Sequence, residues 1–137
     1  MNVLRCTACG RRLTEPVRLL DEMPGFPPAD WLPDPGGNRQ GPPSVPRGTY
    51  VADPLPHGTY TADSLPHGTY VLHPDDVVDI APHSDVQRLL GCCGPSGHNG
   101  INHVCPCGAE VAIVTADCCS RYETRLVRDA VRAEAAP

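Results

Sequence analysis

The chain has no lysine; all eleven of its basic residues are arginine. Set beside 17 prolines and 13 glycines, that bias matches GC-rich bacterial coding and carries no mechanism. Aromatic residues are scarce too, with one Phe, one Trp and four Tyr in 137 residues. A chain this short buries a modest share of its surface, and without large side chains its core needs another source of stability. No stretch comes near the roughly 20 apolar residues of a membrane helix. In residues 1–20, Arg5, Arg11 and Arg12 interrupt the apolar positions, so no secretory signal is expected and the chain reads as cytoplasmic. Excess positive charge is also missing, since the net charge is −5. Nucleic-acid binding draws its general affinity from phosphate attraction, so an acidic chain suits it poorly. Only the N-terminal stretch, with Arg5, Arg11, Arg12 and Arg18 against Glu15, keeps that option open, and only if the four share one exposed face. The glycine-rich run G-P-S-G-H-N-G-I-N-H lacks the Lys-Ser/Thr and following helix of a phosphate loop. No nucleophile and base stand at a recognisable spacing, and the expectation is a protein that is not an enzyme.

What the chain does have is cysteine. Six of its eight cysteines fall between Cys92 and Cys119, and the other two, Cys6 and Cys9, lie near the opposite end. In a reducing compartment such spacings read first as thiolate metal sites. C-T-A-C-G at 6–10 has the form of a zinc knuckle: two thiolates two residues apart, then a glycine for the positive φ of the turn. The redox use of C-x-x-C normally opens a helix, and Gly10-Arg11-Arg12 shows no helical period. C-P-C-G at 105–108 is a shortened second knuckle. Together, Cys6, Cys9, Cys105 and Cys107 are expected to form one tetrahedral Zn2+ site, as in a zinc ribbon. Such a site is closed, whereas a catalytic zinc keeps an open position.

Cys92, Cys93, Cys118 and Cys119 remain. A strand of ten residues runs about 33 Å, so Cys118 is not expected to share the ion of Cys107. A second zinc site is one reading, with one thiol of each vicinal pair well placed and His98, His103 or Asp117 completing it. A redox pair and buried structural thiols are the other two. Adjacent cysteines are expected to diverge.

Along the chain five parts are expected: an N-terminal knuckle (1–22), a Pro/Gly-rich linker or wrapping loop (23–46), three decapeptide repeats (45–74), the cysteine-rich zinc-binding part (75–119) and a C-terminal helix (120–137). In the second part Phe26, Trp31 and Leu32 are the apolar anchors, read as tucking onto the domain in preference to docking a partner's groove. The repeats V-P-R-G-T-Y-V-A-D-P, L-P-H-G-T-Y-T-A-D-S and L-P-H-G-T-Y-V-L-H-P align without gaps. Each is a turn followed by a short strand, and the expectation is that the last copy joins the sheet while the others extend a surface arm. His57 and His67, with His73 and His83 beyond, read as solvent-facing turn residues and not as a metal tract, because a ten-residue spacing on extended chain is about 33 Å. Thr49-Tyr50, Thr59-Tyr60 and Thr69-Tyr70 are ordinary strand formers. Asp75 and Asp76 are turn or cap residues, and Ser84–Leu90 is expected to hold one helical turn. Ala109–Thr115 is a predicted strand with Val111, Ile113 and Thr115 on one face and Ala112 and Val114 on the other. Ser120 and Glu123 form a capping box, followed by an apolar face of Tyr122, Leu126, Val127, Ala130 and Val131 and an Arg125–Asp129 pair; a helix is expected there, with a strand through Arg125–Val127 as the alternative.

The pattern G-C-C-G, then an Asn, C-x-C-G-A-E-V and D-C, preceded by G-T-Y and Pro-Asp-Asp, resembles a group of small cysteine-rich bacterial proteins over residues 65–120. In that group an aromatic follows D-C, where Cys119 stands here, and acidic residues are more usual at Ser96 and His98. The resemblance implies no activity. The expected fold is therefore a small, mainly-β zinc-ribbon-like domain with one bound Zn2+ and room for a second. The expected function is that of a structural zinc protein acting as a protein-interaction or regulatory module on another protein. A thiol redox or metal-responsive protein using the vicinal cysteines is the alternative, and a nucleic-acid-binding ribbon is third. No membrane association is expected.

Overall fold

A computed structural model gives the fold and describes residues 1–29, 31, 41–54, 65–118 and 120–137. Among the described residues nine strands form two sheets. β1 (Asn2–Cys6) pairs antiparallel with β9 (Val131–Ala135), from Asn2 opposite Ala135 to Cys6 opposite Val131. The other seven are β2 (Arg18–Leu20), β3 (Thr49–Asp53), β4 (Thr69–Leu72), β5 (Ala81–Pro82), β6 (His103–Val104), β7 (Glu110–Thr115) and β8 (Glu123–Val127). They lie in the order β2-β3-β4-β8-β7-β6-β5, antiparallel except at β2–β3. Among the described residues no helix is long and apolar enough to cross a membrane.

β8 lies at the centre, and all five of its residues are buried. A strand covered on both faces must offer something to each. Leu126 faces the largest apolar cluster, which takes in Leu4, Leu13, Val17, Tyr50, Leu72 and Val131 together with Cys6 and Cys105. Val127 joins Leu65 and Ile113 on the other side, next to a third cluster of Val45, Val51 and Val71. On that face Glu123 and Arg125 form an ion pair, Arg125 also binds Asp53 at 2.7 Å and Thr69 at 3.2 Å, and the Ser44 hydroxyl donates to Glu123. Aliphatic side chains of modest size on two faces thus replace the missing aromatics.

The C-terminal helix is corrected. Residues 123–127 and 131–135 are strands, joined by a single 3-10 turn at Arg128–Ala130. Apolar positions at 126, 127, 130 and 131 fit a helical face, but Leu126 and Val127 are taken up by opposite faces of the sheet, and β-branched Thr124, Val127 and Val131 suit strands. Ser120 caps no helix: its hydroxyl accepts from Asp117 N–H at 3.2 Å and donates to Asp117 O at 3.1 Å. Arg125 pairs with Glu123 and Asp53, and Asp129 meets His67 at 2.6 Å.

The repeats also differ from expectation. The first and third copies both supply strands, β3 and β4, which pair with Tyr50 opposite Leu72 and Asp53 opposite Thr69. Gly48 and Gly68 hold φ of 81° and 77° at equivalent points of the two turns. Just before them Arg47 binds Asp76 at 2.6 Å and His67 binds Asp129, so both turns are tied to a carboxylate. The pairing also brings the tyrosines of the two copies together, with the Tyr50 and Tyr70 rings edge to face and their centroids 5.5 Å apart. The second copy, with His57, Thr59 and Tyr60, lies outside the described residues, as do Leu32 and Cys119.

His67 is exposed, but His73 and His83 are mostly buried, and each ring accepts the N–H two residues on, from Asp75 and Asp85. The His73 bond opens the 3-10 turn Pro74–Asp76, and Val86–Leu89 is opened by Asp85, whose carboxylate accepts from Gln87 N–H at 3.1 Å, so Asp75 and Asp76 are turn residues and residues 84–90 hold one helical turn, as expected. Phe26 lies under the Arg121 guanidinium, 4.0 Å from its centroid, and stays 41% exposed, outside the core clusters. Trp31 is half-buried.

Candidate metal centre

The N-terminal knuckle is the turn of a hairpin. Leu13 N–H donates to Leu4 O at 2.8 Å, Arg5 bridges Arg12, Cys6 N–H donates to Arg11 O at 2.9 Å and Gly10 N–H to Cys6 O at 2.8 Å. The second knuckle joins β6 to β7 and repeats this pattern one residue shorter: Cys105 N–H donates to Ala109 O at 2.9 Å and Gly108 N–H to Cys105 O at 2.8 Å. Gly10 and Gly108, with φ of 81° and 96°, take the left-handed conformation that a Cβ would strain.

The two turns face each other. Cys6 Sγ lies 3.8 Å from Cys107 Sγ, Cys9 Sγ lies 3.6 Å from Cys105 Sγ, and all four sulfurs are within 4.8 Å of one another. A tetrahedron with metal–sulfur bonds of about 2.3 Å has edges of about 3.8 Å, so the set fits a four-thiolate ion. The separations are far beyond the roughly 2.05 Å of a disulfide, and no disulfide joins the described cysteines. Cys6 and Cys105 are fully buried and Cys9 and Cys107 exposed, so two ligands come from the core and two from the rim.

Burial pushes the Cys105 thiol up to about 12, whereas the Ala109 N–H directed at the sulfur of Cys107 pulls that thiol down to about 7. The Cys107 N–H is likewise directed at Cys105 Sγ. Backbone donors on both sulfurs are what a knuckle supplies to thiolates. Without a cation the buried thiol keeps its proton; a bound divalent ion removes it outright.

A second group forms at the other end of β7. The sulfurs of Cys92, Cys93 and Cys118 lie within 4.8 Å of one another, with Cys92 and Cys93 3.9 Å apart. The expected divergence of the vicinal pair is corrected: the loop after Leu90 folds tightly enough to turn both side chains the same way. His98, His103 and Asp117 do not join the group. Asp117 has another task. Its carboxylate accepts from the N–H groups of Cys93 and Cys118 at 2.8 Å and of Cys92 at 3.2 Å, which holds its pKa below the usual carboxylate range. His103 Nδ1 lies 2.8 Å from Asn102 Oδ1, which makes that nitrogen the donor, and burial lowers the ring's basicity.

Asn102 is a residue that sequence reasoning passed over. Fully buried, it donates to Val114 O at 2.9 Å and accepts from Val114 N–H at 2.8 Å, so its amide stands in for a strand residue beside β7. Just beyond, His103 pairs with Ala112 but Val104 with Glu110, leaving Val111 as a bulge. Val111 therefore turns to the cluster that holds Cys105 and Ala112 and not to that of Ile113, contrary to simple alternation. The bulge brings the second knuckle's strand onto the core. No spacing rule signals it.

Compared with family models, curated proteins and solved structures, the chain matches none.

Proposed function

We propose that this chain is a small metal-built interaction module, with a structural Zn2+ held by Cys6, Cys9, Cys105 and Cys107. The observation that carries the reading is the near-tetrahedral set of four sulfurs contributed by two hairpin turns about a hundred residues apart. Facing knuckles of this kind are the defining feature of zinc ribbons. Four thiolates complete the coordination shell, which suits architecture and leaves no position for substrate. Another protein is the favoured partner over nucleic acid. Arg5, Arg11 and Arg12 each lie within 4.0 Å of a carboxylate, on Glu134, Asp79 and Glu15, which reduces the charge they could offer to phosphates.

The test is metal content with a thiol count on full-length protein purified without added metal. Bound zinc is expected, with the thiols of the four-cysteine group protected until a chelator removes the ion and stability falls with it. Protein that is folded, metal-free and unable to take up zinc would sink the reading.

A further inference from the structure

The loop after Leu90 is built to hold thiols in a fixed arrangement. Ser96 N–H donates to Leu90 O and Ala116 N–H to Pro95 O, each at 3.0 Å. A methyl group on Gly91 would collide with the Gly94 carbonyl, and one on Gly94 with the carbonyl of Ala116. The backbone can therefore close here only with glycine at both places. Asp117 adds a clamp, since one carboxylate accepts from the N–H groups of Cys92, Cys93 and Cys118 and so fixes the residues that carry all three sulfurs. The sulfur spacing, 3.9 Å between Cys92 and Cys93 and at most 4.8 Å within the group, lies close to or somewhat above the edge of about 3.8 Å for thiolates around one ion with bonds of about 2.3 Å.

This group differs from the four-cysteine centre in two ways. Among the described residues it has three donors, Cys92, Cys93 and Cys118, and no His, Asp or Glu joins them. Cys92 and Cys93 are exposed and Cys118 half-buried, whereas the first centre takes two ligands from the core. Thiolates select soft, thiophilic cations, and a zinc with three protein ligands keeps a position for water or another exogenous ligand. That position gives an incoming chelator or thiol a place to bind before any metal–sulfur bond breaks.

We propose that Cys92, Cys93 and Cys118 form a second, exchangeable site for a thiophilic divalent cation of the zinc class, with one coordination position open to solvent. Asp117 is its positioning residue, acting through the backbone of the three ligands. The chain thus holds a slow structural ion and a fast one, and the fast site makes it responsive to available metal.

Full-length protein, kept reduced, is loaded with Zn2+, desalted and challenged with a chromophoric chelator. Two ions per chain are expected, one leaving at least about 10-fold faster than the other. Cys118→Ser should lose the fast ion and keep the slow one; Cys92→Ser, at an exposed position, should do the same and serves where Cys118→Ser fails to fold. Asp117→Asn keeps every thiol and should weaken the fast site about 10- to 100-fold, as loss of a supporting partner does. One ion in wild type, retained unchanged in both cysteine variants, overturns this proposal and leaves the four-cysteine centre standing. No ion in wild type overturns both. Two ions leaving at one rate, or a Cys92–Cys93 disulfide that forms in place of zinc uptake under these reducing conditions, also overturns it.

Discussion

Arg125 shows how single residues decide this fold. It is 4% exposed, lies against Glu123 at 1%, and reaches Thr69 on the neighbouring strand β4 and Asp53 on β3 beyond it. A buried pair adds little net stability, but removing one partner strands the other's charge, at a cost of about 3–5 kcal/mol. Arg125→Met should therefore lower the unfolding free energy of the zinc-loaded protein by about 3 kcal/mol or more in urea titration. Glu123→Leu combined with Arg125→Met should recover much of that loss, because the unpaired carboxylate goes too. A loss under about 1 kcal/mol for Arg125→Met would mean that water reaches the pair. At this scale the thiol site was the most legible feature. C-x-x-C-G and C-x-C-G name their ligands and glycines because a metal knuckle is a local turn with a fixed residue grammar. Asp117 and Asn102 were not legible as supports, since each acts on backbone groups of segments that only the folded chain brings near. Nor was the convergence of Cys92 with Cys93, which depends on how the glycine loop closes against Ala116.

At the scale of elements, local turns read well and long-range pairings did not. Ala109–Thr115 carried its alternation openly, apart from the bulge at Val111 that partner β6 imposes. Residues 123–127 read as part of a helix because a strand buried on both faces shows a run of apolar and β-branched residues that helical spacing also accommodates. The first repeat joined β4 because Thr49–Asp53 had a complementary copy of itself to pair with, a tertiary fact. The turn opened by His73 gives a prediction of its own. Burial lowers the basicity of the ring, with Asp75 and Asp76 opposing that shift and Arg47 adding to it, and Nδ1 is already used to accept Asp75 N–H. The unfolded chain, with an ordinary value of about 6.5, binds a proton that the folded chain does not. Stability from this group is thus complete above about pH 6.5 and is lost as pH falls through that value toward the lower folded one. His73→Asn keeps an acceptor at the cap and removes the titration. Between pH 7.5 and 5.5 the urea midpoint of wild type should fall further than that of His73→Asn, both zinc-loaded. Equal falls would show that protonation of other groups, the thiolates included, accounts for the whole acid dependence.

For the whole molecule, the four-cysteine centre lies where the small sheet meets the large one. β1 and β9 form a two-stranded sheet, and a pair of strands is marginal without cover. Its apolar cover comes mainly through Leu4, Cys6 and Val131 in the largest cluster, while Val3 on the opposite face is buried but joins none of the three clusters. The seven-stranded sheet draws on the same cluster, and also on Val45, Val51 and Val71, on Leu65, Ile113 and Val127, and on the buried network at Arg125. An ion among Cys6, Cys9, Cys105 and Cys107 would tie the better-supported sheet to the weaker one. Removing it should open the molecule unevenly, since stability differs between cooperative units. On addition of chelator, amide hydrogen exchange should accelerate most in β1, β9 and the two knuckle turns, while β3, β4 and β8 keep more of their protection. Cys9→Ser should reproduce that pattern without chelator, because an exposed ligand can be lost with little change to the core. Equal acceleration across all strands would mean that the ion supports one cooperative unit, and the two sheets would then have no separate stability to divide.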